Sequence, residues 1–95
     1  MYDLLLKGAT LIDPSQGVRT ISDVAVSDGK IALLASDIDE SESKQTIDVK
    51  GKIVTPGLID IHVHLYDYEV KNNVNHPDIA GVRAGITTML DATPL

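Results

Sequence analysis

Val54-Thr55-Pro56-Gly57-Leu58-Ile59-Asp60-Ile61-His62-Val63-His64-Leu65 is the stretch whose reading decides the fold. Thr55-Pro56-Gly57 is a turn signal that drops the chain into an apolar run. If that run is a strand, side chains alternate with period two: Asp60, His62 and His64 share one face, and Ile59, Ile61, Val63 and Leu65 occupy the other. One face is chemical and the other is for packing. A strand buried on both sides would instead be apolar throughout, so the polar face needs a partner. A divalent metal would serve, because imidazoles one pleat repeat apart, roughly 6.6–6.8 Å along the strand, can both bend toward one ion and bind it at about 2.0–2.1 Å. Two hydrogen-bonded polar histidines would serve as well, and a bare His-x-His favours that plainer reading.

Working outward, the chain changes character at Pro56. Before it, everything reads as β structure. Tyr2 to Lys7 and Ala9 to Ile12 read as two short strands broken at Gly8, with Asp13-Pro14-Ser15-Gln16-Gly17 as a turn. Ser22–Val26 and Lys30–Leu34 flank Asp28-Gly29, a pair suited to a two-residue type I′ hairpin. Gln45–Val49 alternates as a strand, Lys50-Gly51-Lys52 turns, and Ile53-Val54 starts another strand. Short strands with tight turns predict half of a small sandwich or open barrel.

After Pro56 the expected order is strand 58–65, a polar loop from Tyr66 to Asn75, a short helix over His76–Gly85 with Pro77 in its first turn, and a β-branched strand, Ile86-Thr87-Thr88-Met89-Leu90-Asp91-Ala92. Strand, helix, strand is one βαβ unit with parallel strands and a right-handed crossover.

Composition narrows the function classes. The 95 residues make at most one small domain's worth of chain. With no Phe or Trp and three Tyr, the core is aliphatic. No cysteine is present, so disulfides and thiolate ligands are excluded, any metal must be held by His, Asp or Glu, and a cytoplasmic location is the default expectation. A net charge of −6 argues against nucleic acid or an anionic membrane as partner. Asp37, Asp39, Glu40 and Glu42 fall together in a Ser-rich loop that reads as a solvated turn, since it lacks the glycine and closing glutamate of a calcium loop. No apolar run reaches membrane-spanning length, and the N-terminus carries no signal-peptide pattern.

Thr55-Pro56-Gly57-Leu58-Ile59-Asp60-Ile61-His62-Val63-His64 resembles the first barrel strand of the amidohydrolase superfamily, metal-dependent hydrolases whose motif reads Pro-Gly-x-Ile-Asp-x-His-x-His. Gly85-Ile86-Thr87-Thr88-Met89-Leu90-Asp91-Ala92 resembles that family's second barrel strand, and Pro77 to Val82 is most similar to its dihydroorotase-like deacetylase branch. One departure is that Thr93-Pro94-Leu95 stands where a Gly-Ser-rich loop usually follows.

The resemblance implies a mixed fold, β then α/β: residues 1–55 as part of a small β-sandwich and residues 56–95 as the first βαβ unit of an incomplete (β/α)8 TIM-type barrel. A whole barrel needs roughly 250 residues, so this one cannot close. The resemblance implies His62 and His64 as ligands of a divalent metal, zinc foremost, with one or two ions in a complete enzyme. Asp60 and Asp91 are expected to orient groups or satisfy hydrogen bonds rather than bind metal, and His76, beside Pro77 at a helix start, to be an exposed loop residue. The remaining ligands and the proton-shuttling carboxylate are expected beyond Leu95, leaving these 95 residues inactive alone. The implied activity is hydrolysis of a C–N bond in a small-molecule cyclic amide or N-acyl substrate; a homo-oligomer stays open. Two alternatives stand beside it: a non-catalytic β-rich scaffold or pseudogene product descended from such an enzyme, and an aromatic-base deaminase of the same superfamily.

Overall fold

Gly8 interrupts an apolar run without ending it. In the computed structural model, which describes residues 1–63 and 81–92, strand β1 runs unbroken over Leu4–Asp13, where the sequence suggests two strands. The reason is a bulge. Leu6 pairs with Val24 and Ala9 with Ser22, so Lys7 and Gly8 stand together against the single residue Asp23. Such an insertion needs one residue with positive φ, and Gly8 supplies it at +75°.

The chain divides into two units, Met1–Pro56 and Gly57–Leu95. In the first, β1 pairs antiparallel with β2 (Val18–Ser27), which pairs antiparallel with β3 (Lys30–Ala35). The β2–β3 hairpin closes through Asp28 and Gly29 at φ 53° and 71°, the two positive values a type I′ turn requires. The Asp13–Gly17 turn is a 3₁₀ turn over Pro14–Gln16, capped by the Asp13 carboxylate and closed by Gly17.

The other edge of β1 is shared. β4 (Thr46–Asp48) and β5 (Ile53–Val54) both run parallel to it, Leu5 opposite Thr46 and Thr10 opposite Ile53. The result is a five-stranded sheet ordered β3-β2-β1-β4, with β5 also on β1. The unit is strand-rich, as the sequence implies; a second sheet that would complete a sandwich is not among the described residues.

Directly paired residues share a face, so the bulge redistributes the apolar side chains. Leu5 and Ala25 lie on one face under Ile38, with Tyr2 and Ala35 packed against them. Ala9, past the bulge, shares the opposite face with Ser22 and Val24. Ile38 comes from the acidic loop: the loop's Glu40–Glu42 segment is a 3₁₀ turn capped by Asp39, yet Ile38 itself is buried as a core plug.

Asp23 is the polar centre of this unit. It is 4% exposed, and its carboxylate accepts from Lys7 Nζ at 2.7 Å, Gly8 N at 2.8 Å and Ile38 N at 2.8 Å. Lys7 Nζ also donates to the Ile38 carbonyl at 2.8 Å. One carboxylate thus ties the bulge to the loop that carries the core plug. Burial pushes the Asp23 carboxyl up, but the Lys7 hydrogen bond and the two backbone amides outweigh it, so the group sits below its ordinary range.

A depressed carboxylate contributes stability that is full above the unfolded value, about 3.9, and lost as pH falls through the folded one. The urea midpoint is therefore expected to hold from neutrality down to about pH 4 and to drop below it. Asp23→Asn flattens that drop, because the titrating group is gone. A variant whose midpoint falls as steeply as the parent's would show that other carboxylates set the acid limit. Lys7 is raised, chiefly by its hydrogen bond to Asp23, and its share is lost only as pH climbs through that raised value.

In the second unit, β6 (Leu58–Val63) and β7 (Ile86–Asp91) pair in parallel, the strand relation the βαβ reading requires. The loop over 66–75 and most of the expected helix lie outside the described residues. Its described end, Val82–Ala84, is a 3₁₀ turn, closed by Gly85 at φ 85°.

The ladder has two compensating irregularities. Leu58 pairs with Ile86 but Ile59 with Thr88, leaving Thr87 as an extra residue on β7; Asp60 pairs with Met89 but Val63 with Asp91, placing the extra residue on β6 between them. At the first, Thr87 folds over Gly57: a Cβ on Gly57 would overlap Thr87 Oγ1 and lie 2.5 Å from its Cγ2 and 2.7 Å from its Cβ. Gly57→Ala is therefore expected to cost about 1–3 kcal/mol through overpacking. Pairing it with Thr87→Gly should recover most of that loss. Amide exchange across β6 and β7 in the single and double variants reads the coupling; purely additive effects would argue against the contact.

The apolar side of β6, expected to be a packing face, is open: Ile59 is 67% and Ile61 72% exposed. Strands of a parallel sheet are ordinarily covered on both faces.

Candidate metal centre

Because β6 and β7 are parallel, their carboxyl ends lie side by side. His62 is the penultimate residue of β6, and Asp91, the last of β7, pairs with Val63, the residue after His62. The Ala92 amide donates to the Val63 carbonyl at 2.8 Å and closes the ladder there. His62 and Asp91 are thus brought to one end of one sheet. His64 and His76 lie outside the described residues.

Asp60, expected to orient groups or satisfy hydrogen bonds rather than bind metal, engages its own strand. Its Oδ1 accepts from the backbone amide of His62 at 3.0 Å, within the stretch where β6 carries its extra residue. The side chain loops back on its own strand, as an Asx turn does. His62 is exposed, so its ring is accessible at the strand end.

Neutral imidazole and carboxylate without thiolate is a donor set suited to zinc and other divalent ions. The fit is partial: among the described residues, no three His, Asp or Glu side chains come together around one point. A shallow cavity of about 350 Å³ in the first unit is lined by Lys7, Asp23, Asp37, Glu40, Asp48 and Lys50; it contains the Lys7–Asp23 pair and no imidazole. No helix among the described residues is long and apolar enough to cross a membrane.

Sequence reasoning missed the Asp23 network, the Gly57–Thr87 contact and the ladder irregularity at His62. The first had a signal: a lone glycine inside a strand marks a bulge, and Gly8 is one.

No family model matches the chain. A dihydroorotase of Geobacter metallireducens is 39% identical over 89 residues, covering 92% of this chain and 21% of its own length. The L-hydantoinase (dihydropyrimidinase) from Arthrobacter aurescens superposes with a TM-score of 0.76 at 34% identity, over 96% of this chain and 20% of that one. The chain belongs to the amidohydrolase superfamily. It spans about a fifth of the length of the relatives it matches. The N-acyl-D-glutamate deacylase from Bordetella bronchiseptica, solved with zinc and a phosphonate mimic of the tetrahedral intermediate, superposes with a TM-score of 0.69 at 32% identity, over 93% of this chain and 18% of that one. Its amidohydrolase relatives are metal-dependent.

Proposed function

We propose that this chain supplies the first metal-binding strand of a metal-dependent amidohydrolase that cleaves a C–N bond in a cyclic amide or N-acyl small molecule. The observation that carries the reading is the exposed His62 at the carboxyl end of β6, two residues before His64 and alongside a parallel neighbour. In a (β/α)8 barrel the chemistry gathers at the carboxyl ends of the strands, and β6 and β7 would be its first two. The five-stranded sheet of the first unit would form part of the accompanying sandwich.

His62 and His64 would hold a divalent ion, zinc by the donor set. Such an ion would polarise the scissile carbonyl and bring the pKa of bound water toward neutrality. Asp60, with Oδ1 engaged by the His62 amide, holds the strand rather than moving a proton. Asp91, paired with Val63, sits where it can orient a ligand.

Titrating the chain with zinc while following the imidazole resonances of His62 and His64 tests the reading. Both are expected to shift together with one midpoint. An enzyme containing this segment should hydrolyse a hydantoin-type or N-acyl substrate only with a divalent ion present. If zinc leaves both rings unmoved, the metal reading is wrong, and a non-catalytic descendant of the family becomes the better account.

A further inference from the structure

We infer that Asp60 is a positioning residue for His62, acting through the backbone and not on the metal; this rests on the metal reading above. Three observations converge. The Asp60 Oδ1 accepts from His62 N at 3.0 Å. From Asp60 to Val63, β6 takes three steps while β7 takes two, Met89 to Asp91, so the extra residue of β6 lies at Ile61-His62. Beyond it the ladder resumes, with the Ala92 amide on the Val63 carbonyl.

A bulge re-aims the side chains it carries, and the amide it takes out of the ladder turns to another acceptor. The Asp60 carboxylate is that acceptor. The tie fixes the backbone from which the His62 imidazole is presented, independently of the register imposed by β7. A charged acceptor is stronger than a neutral one, but the geometry asks only for an oxygen at that position. Asparagine offers the same oxygen without the charge, which separates positioning from direct action on the metal.

The test uses the 95-residue chain with Asp60→Ala and Asp60→Asn, reading hydrogen exchange at the His62 amide and zinc titration of the His62 and His64 rings. Asp60→Ala is expected to speed exchange at His62 and to raise the zinc midpoint by about 10–100-fold. Asp60→Asn should keep both within roughly threefold of the parent, since the acceptor remains. The Ala92 amide reports whether β6 and β7 stay paired. If Asp60→Ala loses that pairing, Asp60→Asn decides alone: retained values support the proposal and lost ones overturn it. Asn as damaging as Ala would mean that the charge acts on the ion and overturns positioning. So would an Ala variant indistinguishable from the parent while the parent still binds zinc. A parent that does not respond to zinc at all removes the metal reading itself and the positioning role with it.

Discussion

Asp23→Ala is expected to lower the unfolding free energy of the β-rich unit by about 2–4 kcal/mol. The size follows from what the carboxylate does. It accepts from the buried Ile38 amide, the half-buried Gly8 amide and the Lys7 ammonium, and of these only Lys7 has a second carboxylate, Asp37 at 3.4 Å. Alanine removes the acceptor of the buried Ile38 amide, and a buried donor left unsatisfied carries a desolvation cost of about 1–3 kcal/mol. Ile38 packs on Leu5 and Ala25, so loosening the loop also uncovers core. Domains of this size have only about 5–15 kcal/mol to lose. Urea unfolding followed by circular dichroism gives the number. Lys7→Met is the control: it removes the ammonium but leaves the carboxylate on its two amides, and should be the milder change. An Asp23→Ala midpoint matching the parent's would show that the network is ornamental.

The second large effect is on chemistry. In an enzyme carrying this segment, His62→Ala is expected to reduce kcat/KM by about 10³-fold or more. Removing a group that only orients a ligand costs about 10–100-fold, and loss of the ligand itself removes the ion that polarises the substrate. His64→Ala should match it, while Asp91→Asn should stay in the milder range. Metal content must fall in parallel with activity for the histidine variants. Full zinc occupancy with lost turnover would place His62 in substrate handling instead. Undiminished turnover would remove it from the site.

Much of this was legible in the sequence because local chemistry decides it. Asp28-Gly29 adopts the type I′ turn its residues suit, and of the strand expected over 58–65 the described part, Leu58–Val63, reads as a strand from its own pattern. The family likeness rests on the same residues. What escaped was set by distant partners. Gly8 looked like a break because nothing near it in sequence reveals that Asp23 will accept its amide. Ile38 sat inside an acidic loop and gave no sign of being core. At β6, strict alternation put Asp60 and His62 on one face, with His62 as ligand and Asp60 as a residue that orients groups or satisfies hydrogen bonds. The pairing with β7 bends that regularity, and the Asp60 carboxylate turns back to the amide of the histidine it was expected to accompany.

The placing of β1 bears on where this protein tolerates cutting. Chain ends are usually the safest places to trim or to attach a tag. Here the first thirteen residues include the strand that every other strand of the sheet except β3 leans on, with β2 on one side and β4 and β5 on the other. A truncation beginning after Asp13 would not shave an edge. It would remove the seam, leaving β2–β3 as an isolated hairpin and two short parallel strands with nothing to bind, and the shortened chain should appear as protease-sensitive material where the parent resists digestion.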